Sequence, residues 1–419
     1  MRKYIISALI VMLLITPAYA QDHKQYENQK FKASDAKFFS FFGVSMDIEQ
    51  DTTIIGAMYH THSGETDAGA AYIFEKNNDN LWEESAYVTA SDAADSDKFG
   101  RATAISGNTL LIGSPDSQIT NSKKLGKSYV FEKINNTWTE SQIIEYSGDN
   151  LFSMFGNEVD INDQFLFISA PSEFNGFGTS QGAIYIYEKT NELWTFKQRI
   201  TPPLTSVGGT FGGQLSVTNN LLVITSNLEE TQDGTQRGAV YIYTLDEQNT
   251  WQFEQTIKPE SNSNQYDYLG ISTSQEQVIV RSTTGNIPPN VSYHLNTYSK
   301  INNTWTTTAN INPPANEFIE GAILGVKTNG DYMLVSSVID PDNAPDYVVI
   351  HLYSFNSGQW IYKKSFLPSD PTPDSGFGTA YAVTDTDLLI GSYLEDTIAD
   401  DSGAVYSYDI DRIFLNNFD

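Results

Sequence analysis

The sequence predicts an all-β protein, a seven-bladed β-propeller built from four-stranded antiparallel blades. Two sets of residues recur with one period and predict it. A Phe-Gly pair or a degenerate version of it opens seven units, near residues 42, 99, 155, 211, 269, 320 and 377. The six tryptophans follow in phase, 54 to 57 residues apart, at Trp82, Trp138, Trp194, Trp251, Trp305 and Trp360. Self-similarity at such a period is typical of propellers.

Each unit contains signals for four strands, A to D, as the second unit illustrates. Strand A is expected at residues 101–105, after Phe99-Gly100, and a tight Ser-Gly-Asn turn follows it. Strand B is the apolar run at 110–112, which is typical of a strand covered on both faces. Strand C is the aromatic and β-branched segment 129–131, and strand D begins near Trp138.

The seventh unit has strands A, B and C but no tryptophan and no strand D. The missing strand is expected at the front of the chain, because residues 32–36 before Phe42-Gly43 mirror residues 89–93 before Phe99-Gly100. We therefore predict that the N-terminal segment completes the last blade and leaves no open edge between the chain ends. The fifth and sixth units lack the Phe-Gly pair yet keep their tryptophans, so their sheets are expected to persist.

The rest of the chain divides into short flanking segments. Residues 1–20 begin with the positively charged Arg2 and Lys3, continue with an apolar run at 5–15 and end in Ala18-Tyr19-Ala20, a pair of small residues around one larger residue that suits cleavage. This pattern is typical of a signal peptide. Residues 21–28 are expected to be a short linker, 29–410 the propeller and 411–419 a C-terminal tail. The expected destination is extracellular, periplasmic or cell-surface.

Charge and cysteine content limit the possible functions. The formal net charge is −28, so binding to nucleic acid and insertion into an anionic membrane are not expected. The chain contains no cysteine, which excludes disulfides, thiolate catalysis and an anchor that needs a lipidated cysteine. We expect a monomer.

The repeated unit resembles the FG-GAP repeat of integrin α-chain propellers, and more closely its bacterial secreted version. The second unit carries Phe99-Gly100 and then Gly113-Ser114-Pro115, and "GAP"-like triplets recur at residues 55–57, 169–171 and 390–392. The triplet is lost in the fifth and sixth units. The resemblance covers residues 29–410 and implies a propeller that recognises a protein or surface ligand, as in cell adhesion.

The same resemblance raises the question of calcium, because several integrin blades hold Ca²⁺ in acidic loops. The nearest candidates here are Asp340 and Asp342 in one loop and Asp233 in another. Neither loop has the run of three alternating oxygen ligands and a glycine that a compact calcium loop needs. No cofactor is therefore predicted, and Ca²⁺ at these residues stays an alternative.

No motif predicts catalysis. His60 and His62, with Glu65 and Asp67 nearby, could hold a metal, but an exposed loop is the simpler interpretation. His294 and His351 lie in or beside strand C of the two degenerate units, where a packing role is the default. Nucleophile elbows, phosphate-binding loops and zinc-protease helices are missing from the sequence.

The expected function is a secreted, non-catalytic binding module. Its long B–C and D–A connections should emerge on one rim, and variable loops on a rigid scaffold are where binding residues concentrate. The expected ligand is an extracellular protein or a cell-surface ligand. A glycan-binding propeller is the alternative, and aromatic residues at equivalent rim positions would favour it. An extracellular hydrolase or lyase with a site in the central channel is a third possibility.

Overall fold

The computed structural model describes most of the chain after residue 23. The described ranges are 24–118, 125–148, 152–174, 180–203, 209–227, 238–258, 270–274, 277–284, 292–311, 323–339, 347–372, 375–396 and 401–410. The expected signal peptide, the C-terminal tail and the residue pair at 320–321 lie outside these ranges. None of the described residues belongs to a helix that could cross a membrane.

The described residues form seven sheets, one for each predicted unit. Blade 1 has β3 (Phe42–Glu49), β4 (Thr52–Ala57), β5 (Ala70–Lys76) and β6 (Trp82–Val88). Blade 2 has β7 (Ala102–Ser106), β8 (Thr109–Ser114), β9 (Lys127–Ile134) and β10 (Thr137–Glu145). Blade 3 has β11 (Val159–Ile161), β12 (Phe165–Ala170), β13 (Ala183–Thr190) and β14 (Leu193–Ile200). Blade 4 has β15 (Phe211–Val217), β16 (Leu221–Ser226), β17 (Ala239–Leu245) and β18 (Trp251–Ile257).

The remaining three blades keep the same order. Blade 5 has β19 (Gly270–Thr273), β20 (Gln277–Thr284), β21 (Ser292–Ile301) and β22 (Thr304–Asn310). Blade 6 has β23 (Ile323–Thr328), β24 (Tyr332–Ile339), β25 (Tyr347–Asn356) and β26 (Gln359–Phe366). Blade 7 has β27 (Phe377–Val383), β28 (Asp387–Ser392) and β29 (Ala404–Asp409). The degenerate fifth and sixth units therefore retain complete sheets, as predicted.

The chain ends meet in blade 7. The strand β2 (Gln29–Phe31) pairs antiparallel with β29, so that Lys30 lies opposite Tyr406 and supplies the missing strand D. This confirms the predicted closure by an N-terminal strand. A further strand, β1 (Lys24–Gln25), pairs parallel with β26 and adds a fifth strand to blade 6. It falls in the segment that the sequence assigns to a linker.

Strand A of each blade lies innermost, and neighbouring A strands contact one another around the ring. The hydrophobic core is divided into clusters between adjacent blades. The cluster between blades 3 and 4, for example, joins Ile184 and Ile200 to Tyr241. The blades thus bury their faces against each other, as the runs of apolar residues predict.

The Phe-Gly and Gly-Ala-Pro signatures are explained by one contact between blades. The Phe99 side chain is fully buried, and Gly100 has a φ of +85°, which favours glycine. A Cβ atom on Gly56, in the "GAP" triplet of blade 1, would overlap the Gly100 carbonyl oxygen of blade 2. Gly113 and Gly156 repeat the arrangement. The two signature glycines therefore let the backbones of adjacent blades approach closely.

The outer strands are joined by a glutamine that spans two blades. The Gln198 side chain of blade 3 donates to the Trp251 carbonyl at 2.9 Å and accepts from the Trp251 N–H at 3.0 Å. Among the described residues, the same pair of bonds occurs at four junctions, formed by Gln29–Trp82, Gln142–Trp194, Gln198–Trp251 and Gln255–Trp305. We call these bonds glutamine clamps. The tryptophans thus lie in the outer part of the blades.

Candidate functional site

The long B–C and D–A connections lie on the same rim of the ring, which we call the loop rim. The Phe99 N–H, at the end of one D–A connection, donates to the Ala68 carbonyl of the preceding B–C connection at 2.9 Å. Phe42 makes the same bond to Ser402 at 3.3 Å, and Phe211 bonds to Gln181 at 3.2 Å. The B–C loops of blades 1, 3 and 7 are thereby tied to the D–A loop that follows them.

Exposed phenylalanines are concentrated on the loop rim. Phe38 and Phe39 precede strand A of blade 1 and are 63% and 55% exposed. Phe152 occupies the corresponding D–A connection of blade 3 and is 65% exposed, while Phe174 in a B–C loop is 42% exposed. They form two separate pairs, Phe38 with Phe39 in blade 1 and Phe152 with Phe174 in blade 3. Exposed apolar groups that lie side by side mark binding surfaces more often than isolated ones do.

The backbone under these side chains is strained. Phe39 and Phe41 have φ values of +54° and +57°, and Phe152 and Met154 have +64° and +56°. Left-handed backbone is unfavourable for bulky residues, and such residues collect at functional sites. The Ser153 hydroxyl fixes one of these turns by donating to the Leu125 carbonyl at 2.7 Å. The rim aromatics are therefore presented on fixed, strained turns.

A small cavity lies beside Phe152 between blades 2 and 3. Its volume is about 380 Å³, and its lining is largely apolar, with Phe152, Met154 and Phe174 on one side and Pro115 on the other. Lys98 borders this region, because its ammonium group pairs with Asp116 at 2.7 Å and lies 5.6 Å from the ring centre of Tyr59. The rim thus combines apolar rings with paired charges.

Beneath the rim, strand-C tyrosines are held in polar clusters. The Tyr129 hydroxyl donates to Asp92 at 2.8 Å, and Lys127 pairs with the same carboxylate at 2.5 Å. Tyr185 donates to Glu173 at 2.7 Å, and Arg199 neutralises that carboxylate. Burial raises the pKa of both tyrosines, and the carboxylate beside each adds to the effect. These clusters anchor the loops above them.

His60 belongs to the corresponding cluster of blade 1. Its ring is fully buried, with Nε2 3.2 Å from Asp35 and Nδ1 3.3 Å from the Tyr72 hydroxyl. Burial lowers the pKa of His60 to about 4, so the ring is neutral at pH 7. The His62 ring lies 6.3 Å away, stacked on it. His60 occupies the place that Glu173 takes in blade 3, which is a packing and anchoring position. The interpretation of this segment as an exposed loop is therefore wrong for His60, which is buried against Asp35 and Tyr72.

Among the metal candidates from the sequence, those around His60 and His62 lie within the described residues and the calcium candidates do not. Asp233, Asp340 and Asp342 all lie outside the described ranges. Within those ranges, no three histidine or acidic side chains are grouped closely enough to hold a metal ion, and that includes His60, His62, Glu65 and Asp67.

His351 is fully buried in blade 6, where its two ring nitrogens are each 2.8 Å from a serine hydroxyl, Ser337 or Ser365. Burial lowers its pKa to about 3. His294 is only partly buried and borders a cleft between blades 4 and 5. The core-filling interpretation therefore fits His351, and His294 is at a surface opening.

The central channel contains acids that serve the contacts between blades. On the rim opposite the loops, an Asp47 oxygen accepts from the Ile105 N–H, and an Asp160 oxygen accepts from the Val217 N–H, each at 3.0 Å. The Ser216 hydroxyl accepts from the Thr273 N–H in the same way at 3.2 Å. Serine performs the same task one blade further on, so this contact between blades does not itself require an acid.

Burial raises the pKa of Asp160 to about 7, although the Lys327 ammonium in the same channel opposes the shift. The mouth of the channel has a volume of about 390 Å³ and is lined by strand-A residues of six blades. A raised pKa in a channel is compatible with acid–base chemistry. Here the Asp160 carboxylate already accepts two backbone N–H groups, those of Val217 and Ile161.

The rim phenylalanines were not predicted, because the B–C loops of the sequence show no repeated aromatic residue. The signal lies in the D–A connections, at the third residue before the Phe-Gly pair. Phe39 precedes Phe42 in this position, and Phe152 precedes Phe155. The φ values cannot be read from the sequence, because these turns contain no glycine.

The comparisons with known proteins concern the repeat and the fold. Residues 26–74 and 82–131 match the family model of the FG-GAP repeat. No curated protein matches the sequence. Among solved structures, the chain is similar to the β-propeller domain of the Trilobed protease from Pyrococcus furiosus, at 11% identity and a TM-score of 0.44. That match covers 84% of this chain and 91% of the other.

Proposed function

Taking the chain as an FG-GAP repeat protein with a seven-bladed β-propeller, we propose that it is a non-catalytic binding module that recognises a protein or cell-surface ligand through its loop rim. The observation that carries this proposal is the set of exposed phenylalanines on strained turns, Phe38, Phe39 and Phe152. Aromatic side chains are enriched at protein interfaces, where they supply contact area at little cost in side-chain entropy.

The net charge of the chain restricts the kind of partner that it can bind. With 52 acidic and 24 basic side chains, the surface favours a partner that is neutral or basic around the contact. We further propose that the chain is exported, on the evidence of the signal-peptide-like residues 1–20. A monomer that acts outside the cytoplasm, without a cofactor and without catalysis, is the simplest form of this proposal, and adhesion is the role that the integrin resemblance suggests.

The test compares rim variants with matched variants elsewhere. The chain from Gln21 onward is immobilised and exposed to the surface and extracellular fraction of the producing cells. The double variant Phe39→Ser, Phe152→Ser should lose the captured partner. The control Phe196→Ser, Phe253→Ser changes two exposed phenylalanines on the outer strands β14 and β18 and should keep it. Equal capture by the two double variants would contradict recognition through the loop rim.

A glycan ligand is the second candidate, because Phe39 and Phe152 place rings at equivalent rim positions of blades 1 and 3. Pre-treatment of the same fraction separates the two candidates. Protease treatment should abolish capture of a protein ligand, and periodate oxidation should leave it intact. The reverse pattern would assign a glycan to the rim.

A further inference from the structure

Five blades fill one position at the blade interface with a pair of aromatic rings. The phenylalanine of the Phe-Gly pair packs edge-on against the strand-C tyrosine, with ring centres 5.2 to 5.5 Å apart. The five pairs are Phe42–Tyr72, Phe99–Tyr129, Phe155–Tyr185, Phe211–Tyr241 and Phe377–Tyr406. All ten side chains are buried. The repeat itself therefore shows what this position accommodates.

Blade 5 lacks both rings. The pairing of strands C and D shifts register directly after Ile242 in blade 4 and directly after Thr297 in blade 5, so these two residues correspond. One residue earlier, Tyr241 corresponds to Asn296. Leucine stands at position 269, which is outside the described ranges, where those five blades have the phenylalanine. Blade 6 also lacks the tyrosine, but there His351 fills the position and bonds to two serines.

An open cleft of about 680 Å³ lies at this position between blades 4 and 5. Its apolar wall includes Val240 and Ile257 of blade 4. These two residues face each other across β17 and β18, as Ile184 and Ile200 do across β13 and β14. Since Ile184 and Ile200 pack with Tyr241 in the preceding interface, the cleft retains the wall against which a tyrosine ring packs.

The other side of the cleft combines rings with neutral polar groups. Tyr298 and Trp305 line it together with Asn296 and Asn310. No described lining residue is acidic, although the chain has 52 acidic residues. The ionisable groups among them are Lys258, His294 and the Tyr298 hydroxyl. An uncharged occupant with an apolar body and a polar end fits this lining.

We propose that the cleft between blades 4 and 5 binds an aromatic side chain, tyrosine in preference to phenylalanine, of a partner polypeptide. The ring takes the place that the strand-C tyrosine fills in those five blades, against Val240 and Ile257. Its hydroxyl reaches a polar group of blade 5, as the Tyr185 hydroxyl reaches Glu173. This contact is separate from the loop rim and stands or falls independently of it.

The test uses p-cresol and N-acetyl-tyrosinamide as probes on the whole chain from Gln21 onward. Saturation-transfer NMR should detect binding of both, and the melting temperature should rise with probe concentration. Asn296→Tyr restores the missing ring and should weaken binding at least about tenfold. Thr307→Phe provides a second variant, because the same strand-D position holds Phe253 in blade 4. It covers the cleft from outside with a residue that the repeat tolerates.

Thr139→Phe is the matched control, since it makes the same change at an exposed position of β10, beside an intact Phe–Tyr pair. It should bind the probes as the unmodified chain does. The proposal is overturned if p-cresol fails to bind, or if it binds Asn296→Tyr and Thr307→Phe as well as the control. Binding of N-acetylglucosamine without binding of p-cresol would likewise overturn it and would assign the cleft to a sugar.

Discussion

The Asp160 carboxylate makes the stability of the propeller depend on pH. Its side chain lies in the channel and accepts the Val217 N–H of the next blade, so it joins two blades at their innermost strands. Burial raises its pKa from 3.8 to about 7. The folded chain therefore retains a proton between pH 4 and pH 7 that the unfolded chain releases, and the stability from this group is present at acid pH and lost as the pH rises towards 7.

We expect Asp160→Asn to be more stable than the unmodified chain at pH 8, by roughly 1 to 3 kcal/mol, and nearly equal to it at pH 4, where the carboxyl group is protonated in most folded and many unfolded chains. An asparagine carbonyl still accepts the Val217 N–H but carries no charge to bury. The measurement is urea denaturation at both pH values. Asp163→Asn, an exposed neighbour at the same channel mouth, is the control and should show no such pH-dependent difference. A constant effect of Asp160→Asn across pH would contradict the assignment.

Single residues also mark where sequence reasoning succeeds. The Phe-Gly pair is recognisable because its glycine is required locally, by a positive φ and by a close backbone approach. Phe39 and Phe152 were not recognised because nothing in their neighbours requires left-handed backbone. The role of Asp160 was equally hidden, since its partner Val217 lies on another blade.

At the scale of the strand, the glutamine clamps give hydrogen-bond partners to backbone groups of the outermost strands. The outer strand of a blade presents unpaired N–H and C=O groups, which would otherwise be open to pairing with other chains. A glutamine amide can satisfy both groups of the tryptophan on the next blade. The junction between blades 1 and 2 has Ala86 at the corresponding position and so lacks the clamp.

We expect Gln198→Ala to lower the free energy of unfolding by about 1 to 2 kcal/mol, because two hydrogen bonds to Trp251 are lost. The reverse change, Ala86→Gln, should stabilise the chain by about 0.5 to 1 kcal/mol by adding a clamp to Trp138. Gln252→Ala, at an exposed position of β18, is the control for removing a glutamine. Chemical denaturation of the three variants measures these effects, and a loss for Gln252→Ala as large as that for Gln198→Ala would argue against the clamp.

The strands themselves were predictable because their signals are local, as at residues 110–112 within β8. The strand β1 was not predicted. It has two residues and pairs parallel with β26, so neither an alternation of apolar and polar residues nor a turn residue predicts it. The cleft beside Asn296 was likewise hidden, because the correspondence between Asn296 and Tyr241 depends on strand register.

At the scale of the whole molecule, the ring depends on one short strand. Phe31 in β2 is buried, and its ring centre lies 4.7 Å from that of Phe74 in blade 1. Lys30 in the same strand pairs with Asp370 at 2.7 Å. Three residues therefore connect blade 7 to blade 1 as well as completing its sheet. The seven-fold architecture and this closure could be predicted because the period and the mirrored segment are both visible in sequence.

Phe31→Ala should lower the free energy of unfolding by about 3 to 4 kcal/mol, since it leaves a cavity at the only strand that closes the described ring. It should also make residues 24–31 the first site of limited proteolysis, because β2 detaches before the other blades unfold. Phe38→Ala, on an exposed rim side chain, is the control and should change stability by less than about 0.5 kcal/mol. Cleavage elsewhere first would contradict a ring closed at β2.

The pairing of β2 with β29 has a consequence for the order of events during synthesis. Lys30 and Tyr406 are opposite each other in the sheet, but they lie near the two ends of the described chain and so leave the ribosome far apart in time. Blades 1 to 6 can form their sheets as the chain lengthens, whereas β2 must wait, unpaired, until blade 7 has been made. The final step is then a single long-range closure, whose entropic cost grows only slowly with the length of chain between the two strands. A nascent chain stalled before residue 404 would consequently remain an unclosed ring, with β2 and β28 each lacking a partner strand. Such unpaired strand edges make this the form most exposed to aggregation and to chaperones.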